Sequence, residues 1–321
     1  MNAYWKLNTH GDPLATLSNF IQALWVSENL DVLIVAPDGH GHIMESPEEV
    51  SRANPFHPMM EVNLARLVAE TIQQRAGKKI GILLRACEVR ALKELRARGM
   101  FEMEDLLTIC VDCLGTYPVD EVKWREERLS LTNDITDETL RFAPQGGIAS
   151  YRYRPACQVC RNPGATDGIV NLGVLGLPVR QEMLVQGSAE QVRLRQITDG
   201  LADESLVLKR EKMLERIIER HQRTRATMIE DLESNLPGDI DALLDHLQAC
   251  GGCHLCMDAC PICSADAPRM VGGNRFVRED VIHWLVSCAG CGMCEQTCPK
   301  ELPLLAIFNR IRDQLALDLA N

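Results

Sequence analysis

The chain has 321 residues, room for two domains, and 46% of them are hydrophobic, ample for ordinary buried cores. Its formal net charge of −11 counts against a general nucleic-acid binder, which carries a basic footprint, and otherwise reads as plain solubility. No apolar run reaches the roughly eighteen residues of a membrane span, and Met1 to His10 holds neither a basic-then-apolar leader nor a twin arginine. With fourteen cysteines, the expectation is a cytoplasmic protein whose thiols serve metal rather than disulfides.

In chain order, Leu14 to Leu30 has amphipathic spacing and reads as a helix. Asp31 to Ala36 is a short β-branched run and reads as a buried strand. Asp38 to Met44 begins like a dinucleotide fingerprint but lacks its third glycine, so a turn is the reading. Val62 to Ala76 is expected to be helical, Lys79 to Arg85 a strand, Glu88 to Arg98 a helix, Leu106 to Val111 a strand and Gly168 to Val174 another. Such alternation predicts an α/β domain with a largely parallel sheet over residues 1–200. Residues 201–238 are rich in charge, with Leu206, Met213, Leu214, Ile217, Ile218 and Met228 on one stripe. They read as a helical linker ending at the break Pro237-Gly238. Asp239 is a good N-cap for a helix carrying Cys250 and opens a third region, 239–321. There Val271 to Val286 and Leu302 to Leu315 show apolar residues at helical spacing.

Five cysteines fall in the α/β region. Cys110 and Cys113, and Cys157 and Cys160, form two C-x2-C pairs, and Cys87 stands alone at a strand end. Strand ends are where sites gather in open α/β sheets. Four of these thiols could hold a 4Fe-4S cluster or a structural zinc, and a C-x2-C pair could also be a redox dithiol.

The C-terminal region spells one pattern twice. Cys250-x2-Cys253-x2-Cys256-x3-Cys260-Pro261 is followed by Cys288-x2-Cys291-x2-Cys294-x3-Cys298-Pro299. Three cysteines two residues apart wrap a loop around three corners of a cubane. The fourth points away, and in two-cluster folds it ligates the other cluster. The expectation is one 4Fe-4S cluster on Cys250, Cys253, Cys256 and Cys298, and a second on Cys288, Cys291, Cys294 and Cys260. Zinc is the competing reading, but its usual pattern is two separated C-x2-C pairs. Cys263 reads as a spare thiol and His254 as a loop residue. With helices on both sides, residues 239 to 318 resemble the alpha-helical ferredoxin of heterodisulfide reductase small subunits and of the succinate dehydrogenase iron–sulfur subunit.

The segments Ser51-Arg-Ala-Asn-Pro-Phe-His-Pro58-Met-Met-Glu-Val-Asn63, Leu84-Arg-Ala-Cys87-Glu-Val-Arg90-Ala-Leu92, Val111-Asp-Cys113-Leu-Gly-Thr116 and Cys157-x2-Cys160 followed by Asp167-x5-Gly173 carry a second resemblance. They resemble the beta-subunit family of coenzyme F(420)-reducing hydrogenases and formate dehydrogenases, the formate dehydrogenase beta subunit above all. Ala86 stands where that family is expected to have proline. The resemblance implies a third 4Fe-4S cluster on Cys87, Cys113, Cys157 and Cys160, with Cys110 left as a small buried thiol. It also implies a bound FAD, for which Asn63, Arg85 and Arg90 are the candidate contacts. The two arginines could donate to phosphate or ring oxygens, or be ordinary surface ion-pair partners.

The expected function follows: an iron–sulfur flavoprotein subunit that moves electrons between a catalytic formate dehydrogenase or hydrogenase subunit, its clusters and FAD. The acceptor would be the deazaflavin, NAD, ferredoxin or a heterodisulfide-reductase-like partner. A relay without flavin turnover and a zinc scaffold are the alternatives. No set of hydrolytic residues is visible, and no ligand set for molybdenum or nickel, so formate or hydrogen chemistry belongs to another subunit.

Overall fold

The β-branched runs of the first half form the middle of one sheet. The computed structural model describes residues 2–320 except 103–105, 129–133, 148–149, 189–191, 234–241, 243–249, 251, 264–266, 268 and 272–274. Its elements begin with β1 (Asn2–Asn8), α1 (Pro13–Glu28), β2 (Val32–Val35), β3 (His42–Met44), α2 (Ala65–Gln74), β4 (Ile80–Arg85), α3 (Ala86–Ala97) and β5 (Leu106–Val111). They continue with α4 (Val119–Glu126), α5 (Ile135–Arg141), α6 (Pro155–Gln158), β6 (Val170–Gly173), β7 (Glu182–Ser188), α7 (Val192–Ile197) and α8 (Glu204–Glu233). The sheet order is β1-β7-β6-β5-β4-β2-β3. Strands β2, β4, β5 and β6 are parallel; β3 pairs antiparallel at one edge, and β7 and β1 at the other. Every residue of the four parallel strands is buried, as expected of a sheet covered on both faces.

The four parallel strands match the sequence expectation closely, and the three edge strands were not foreseen. β1 is half-buried: Trp5 and Leu7 point inward, whereas Tyr4 and Lys6 are only partly covered, so no continuous apolar run marks it. β3 takes the last three residues of the stretch Asp38 to Met44 expected as a turn, pairing with β2.

The charged stretch after residue 201 is one helix of 30 residues. It lies against the α/β domain, with Leu206, Arg210, Ile217 and His221 buried. The break at Pro237-Gly238 and the helix start at Asp239 lie outside the described residues.

The C-terminal region contains α9 (Leu255–Ala259), the two-stranded pair β8 (Met270–Val271) and β9 (Arg275–Phe276), α10 (Arg278–Val286), α11 (Met293–Gln296) and α12 (Leu304–Ala320). The helical spacing read from Val271 onward holds only from Arg278. Upstream, Gly272, Gly273 and Asn274 separate two short runs, and that is hairpin chemistry. Trp284 meets Phe308 edge-on at 4.7 Å between ring centroids, and Leu285, Ile307 and Ile311 complete a small core with Cys263 and Cys294. Among the described residues, no helix is long and apolar enough to cross a membrane.

Candidate metal centres

Two of the thiols sit just past the carboxyl ends of adjacent parallel strands. β4 ends at Arg85 and turns into α3, whose second residue is Cys87. β5 ends at Val111, and Cys113 follows. Two acidic side chains fix these turns. Glu88 accepts from the backbone N–H groups of Arg85 (2.9 Å) and Leu64 (3.2 Å). Burial pushes its carboxyl up, against the pull of Arg85. Asp112, wholly buried, accepts from the N–H groups of Ala165 (2.8 Å), Val174 (2.9 Å) and Leu175 (3.1 Å), and takes two hydrogen bonds from Arg210 of α8. That buried fork holds the long helix against the Cys113 turn. Farther along α8, His221 is hydrogen-bonded to the Cys160 carbonyl at 2.9 Å, and Arg225 donates to the Val159 carbonyl at 3.1 Å. The helix read as a linker is thus a wall of the site.

Cys87, Cys113, Cys157 and Cys160 line a single cavity, joined there by Arg154, His221 and Cys291. Burial pushes Cys87 well up, and Glu88 and Cys113 add to it. Burial likewise drives Cys113 up to about 12, with Cys157 and Cys160 contributing. Cys160 is also raised by burial, against the pull of Arg90. Cys157 differs: burial works upward, but Arg154 and the Thr116 hydroxyl outweigh it, and the thiol sits below its ordinary value. Cys110 is buried inside β5, outside the cavity, where burial pushes it up to about 12.

The two repeats bring their cysteines together crosswise. Burial raises Cys256 to about 11, and Cys250, Cys253 and Cys298 add to it. The fourth contributor comes from the other repeat. Cys294 is raised by burial and then by Cys288, Cys291 and Cys260. Cys291 reaches about 12 through burial, Cys260 and Cys288. Cys260 itself falls to about 6, first through a hydrogen bond from Cys263, which gives the apparently spare thiol a partner. The loops match in detail. Gly252 N–H points at Cys250 Sγ (3.5 Å), and Gly290 N–H at Cys288 Sγ (3.4 Å). Both glycines have φ +65°, a left-handed conformation that glycine takes without penalty. One residue past the second cysteine, Gly292 (φ +70°) and His254 (φ +61°) each cap a short helix in the same conformation, so His254 is a loop residue in the position of a glycine.

The half-chains meet at these thiols. Arg154 is 4% exposed. It donates to Thr116 Oγ1 (2.8 Å) and to Gln296 Oε1 (2.8 Å) on α11, and approaches Cys157 Sγ at 3.8 Å. Gln296 in turn donates to the Met60 carbonyl at 3.1 Å. From α3, Arg90 reaches the Ala289 carbonyl (3.3 Å) and Cys160 Sγ (3.9 Å), and Arg98 reaches Ser287 Oγ (2.7 Å). Sequence reasoning did not single out Arg154, Gln296 or His221. For Arg154 the available signal was its place three residues before Cys157.

The three candidate flavin contacts each have surroundings of their own. Arg85 is buried and donates to the His57 carbonyl at 2.6 Å, so it is no surface ion-pair partner. Arg90 faces Cys160. Asn63 caps α2 through Ala65 N–H, and its buried Nδ2 has no hydrogen-bond partner.

Among the described residues, no three His, Cys, Asp or Glu side chains stand close enough to hold one metal ion. Four sulfurs about 2.3 Å from a single zinc would be in near contact with one another. A cubane puts four irons and four sulfides between its thiolates and takes a wider ring. In each set burial and neighbouring thiols push a cysteine up, Cys113, Cys256 and Cys294 among them, and iron would supply the compensating charge. Four thiols to a set are the donor type and number that a 4Fe-4S cluster takes. A comparison of the chain with models of known protein families finds none that matches.

Proposed function

We propose that the protein is an iron–sulfur electron-transfer subunit with three 4Fe-4S clusters, working beside a catalytic formate dehydrogenase or hydrogenase subunit. The observation that carries this reading is the grouping of twelve of the fourteen cysteines into three quartets, two of them crosswise between the repeats. Bound clusters would supply one-electron chemistry. The chain's own residues do the rest. Cys87, Cys113, Cys157 and Cys160 would hold one cluster; Cys260, Cys288, Cys291 and Cys294 the next; Cys250, Cys253, Cys256 and Cys298 the third. Cys291 lies on the wall of the first quartet's cavity, so the first two sets adjoin. Ile262, Ala289 and Met60 exclude water between the half-chains. Cys253, the one exposed thiol among the described residues, puts the last set nearest to solvent and to a partner.

FAD rests on the resemblance to the coenzyme F(420)-linked beta subunits. Arg85 and Arg90 are engaged with protein carbonyls and a thiol. That favours a second reading, a relay that passes single electrons to a heterodisulfide-reductase-like partner without flavin turnover. One experiment separates the two readings. Anaerobically purified protein is assayed for iron, sulfide, zinc and flavin, then reduced and offered deazaflavin coenzyme, NAD and ferredoxin. Flavin with hydride transfer to the deazaflavin or NAD supports the flavoprotein. Iron without flavin, reoxidised by ferredoxin alone, supports the relay. Zinc in place of iron overturns both and leaves the scaffold.

A further inference from the structure

Two guanidinium groups, the buried Arg154 and the half-buried Arg90, lie between the first quartet and its neighbour. Arg154 comes within 3.8 Å of Cys157 Sγ, and Arg90 within 3.9 Å of Cys160 Sγ. Each also faces the adjoining set: Arg154 acts on Cys291, and Arg90 acts on Cys288 and lines a cavity with it. Among the described residues, neither has a carboxylate in direct contact. Arg154's partners are a hydroxyl, an amide and sulfurs, and two of Arg90's are carbonyls. Glu88, a buried carboxyl nearby, accepts from the N–H groups of Arg85 and Leu64 instead. The other sets carry less cation at the sulfur. The middle set has Arg312 near Cys288 but no guanidinium hydrogen-bonded to a thiol among the described residues, with Glu295 beside Cys294 as Glu88 is beside Cys87, and the charges raising Cys256 are those of other thiols.

We propose that Arg90 and Arg154 make the Cys87, Cys113, Cys157 and Cys160 set the electron-accepting end of the chain, by holding a cluster there at a higher potential than either C-terminal set. This rests on the three-cluster reading above. Reduction adds one negative charge to a cluster. A fixed cation at its sulfur stabilises that charge, and more so in a dry site than near water. Both arginines touch the first quartet directly, the Cys288 set feels them at one remove, and the exposed Cys253 set least. An electron given to the outer set by a one-electron donor such as a reduced iron–sulfur partner, which is oxidised by one electron, would pass the middle set and come to rest beside α3. No bond is made or broken and no proton moves. In this role the arginines are positioning residues that act on the thiolates.

The test is an anaerobic redox titration of the full chain, followed by electron paramagnetic resonance, on the wild type, Arg154→Gln, Arg154→Lys and Arg90→Gln, with iron counted in each. Cys87→Ala identifies the signal of the first quartet. In the wild type that signal should have the highest potential of the three. It should move negative in Arg154→Gln and in Arg90→Gln, move less in Arg154→Lys, and leave the Cys250 set's potential unchanged. If Arg154→Gln loses iron by loosening the contact with Gln296, Arg90→Gln carries the same readout. About twelve irons with an unmoved first-quartet potential, or with that potential lowest in the wild type, overturns the proposal alone. About eight irons in the wild type and no signal sensitive to Cys87→Ala overturns the three-cluster reading along with it.

Discussion

At the scale of single residues, position separates thiols that look alike in the sequence. Cys110 and Cys113 form one C-x2-C pair, yet Cys110 is sealed inside β5 and Cys113 lines the cavity past the strand's end. Cys110→Ala should keep all its iron and cost on the order of 1 kcal/mol of stability, as a small core truncation does. Cys113→Ala should fall from about twelve irons to about eight, read by iron analysis of the two purified variants. Asp112, between them, makes a different prediction. Arg210→Met removes the one cation paired with a fully buried carboxylate and should destabilise by about 3–5 kcal/mol. Three backbone donors remain on Asp112, which puts the expected value at the low end. The double variant Asp112→Asn/Arg210→Met removes the stranded charge and should recover part of the loss in thermal unfolding.

At the scale of elements, the short helix inside each repeat, between its second and fourth cysteines, aims the fourth cysteine at the other repeat's loop. Alanine at Cys253 and at Cys298 should therefore erase the same paramagnetic signal, although the two belong to different repeats. Cys260→Ala and Cys291→Ala should erase another. If Cys298→Ala instead behaves like Cys291→Ala, each repeat holds its own cluster and the crosswise arrangement is wrong. Gly292 adds a constraint on docking. Its φ is +70°, and a Cβ there would run into the Ala156 Cβ on α6, next to Cys157. Gly292→Ala should cost roughly 1–3 kcal/mol from strain and overlap together, seen as a lower melting temperature. His254, at the matching place in the first repeat, already bears a side chain in that conformation.

At the scale of the whole molecule, the sequence carried the parallel core and the cysteine pattern because both are local. β-branched runs mark strands buried on two faces, and C-x2-C-x2-C-x3-C-Pro is a chemical spacing. What it hid depends on distant partners. β1 and β7 pair across most of the α/β domain; β1 alternates, and the apolar run of β7 is only Met183 to Val185. Arg154, Gln296 and His221 look like ordinary surface residues until folding brings them against Cys157, Met60 and the Cys160 carbonyl. The charged helix α8 read as a tether because its buried stripe is narrow, yet Arg210 and His221 on it shape the site. On the reading proposed above, the molecule has three thiol quartets in sequence, from one next to the sheet to one that reaches solvent. Mössbauer spectroscopy of the anaerobically purified full chain tests that account most directly. It predicts that essentially all iron, about twelve atoms per chain, sits in 4Fe-4S cubanes. Iron in isolated mononuclear sites, or zinc filling the thiol sets, would contradict it.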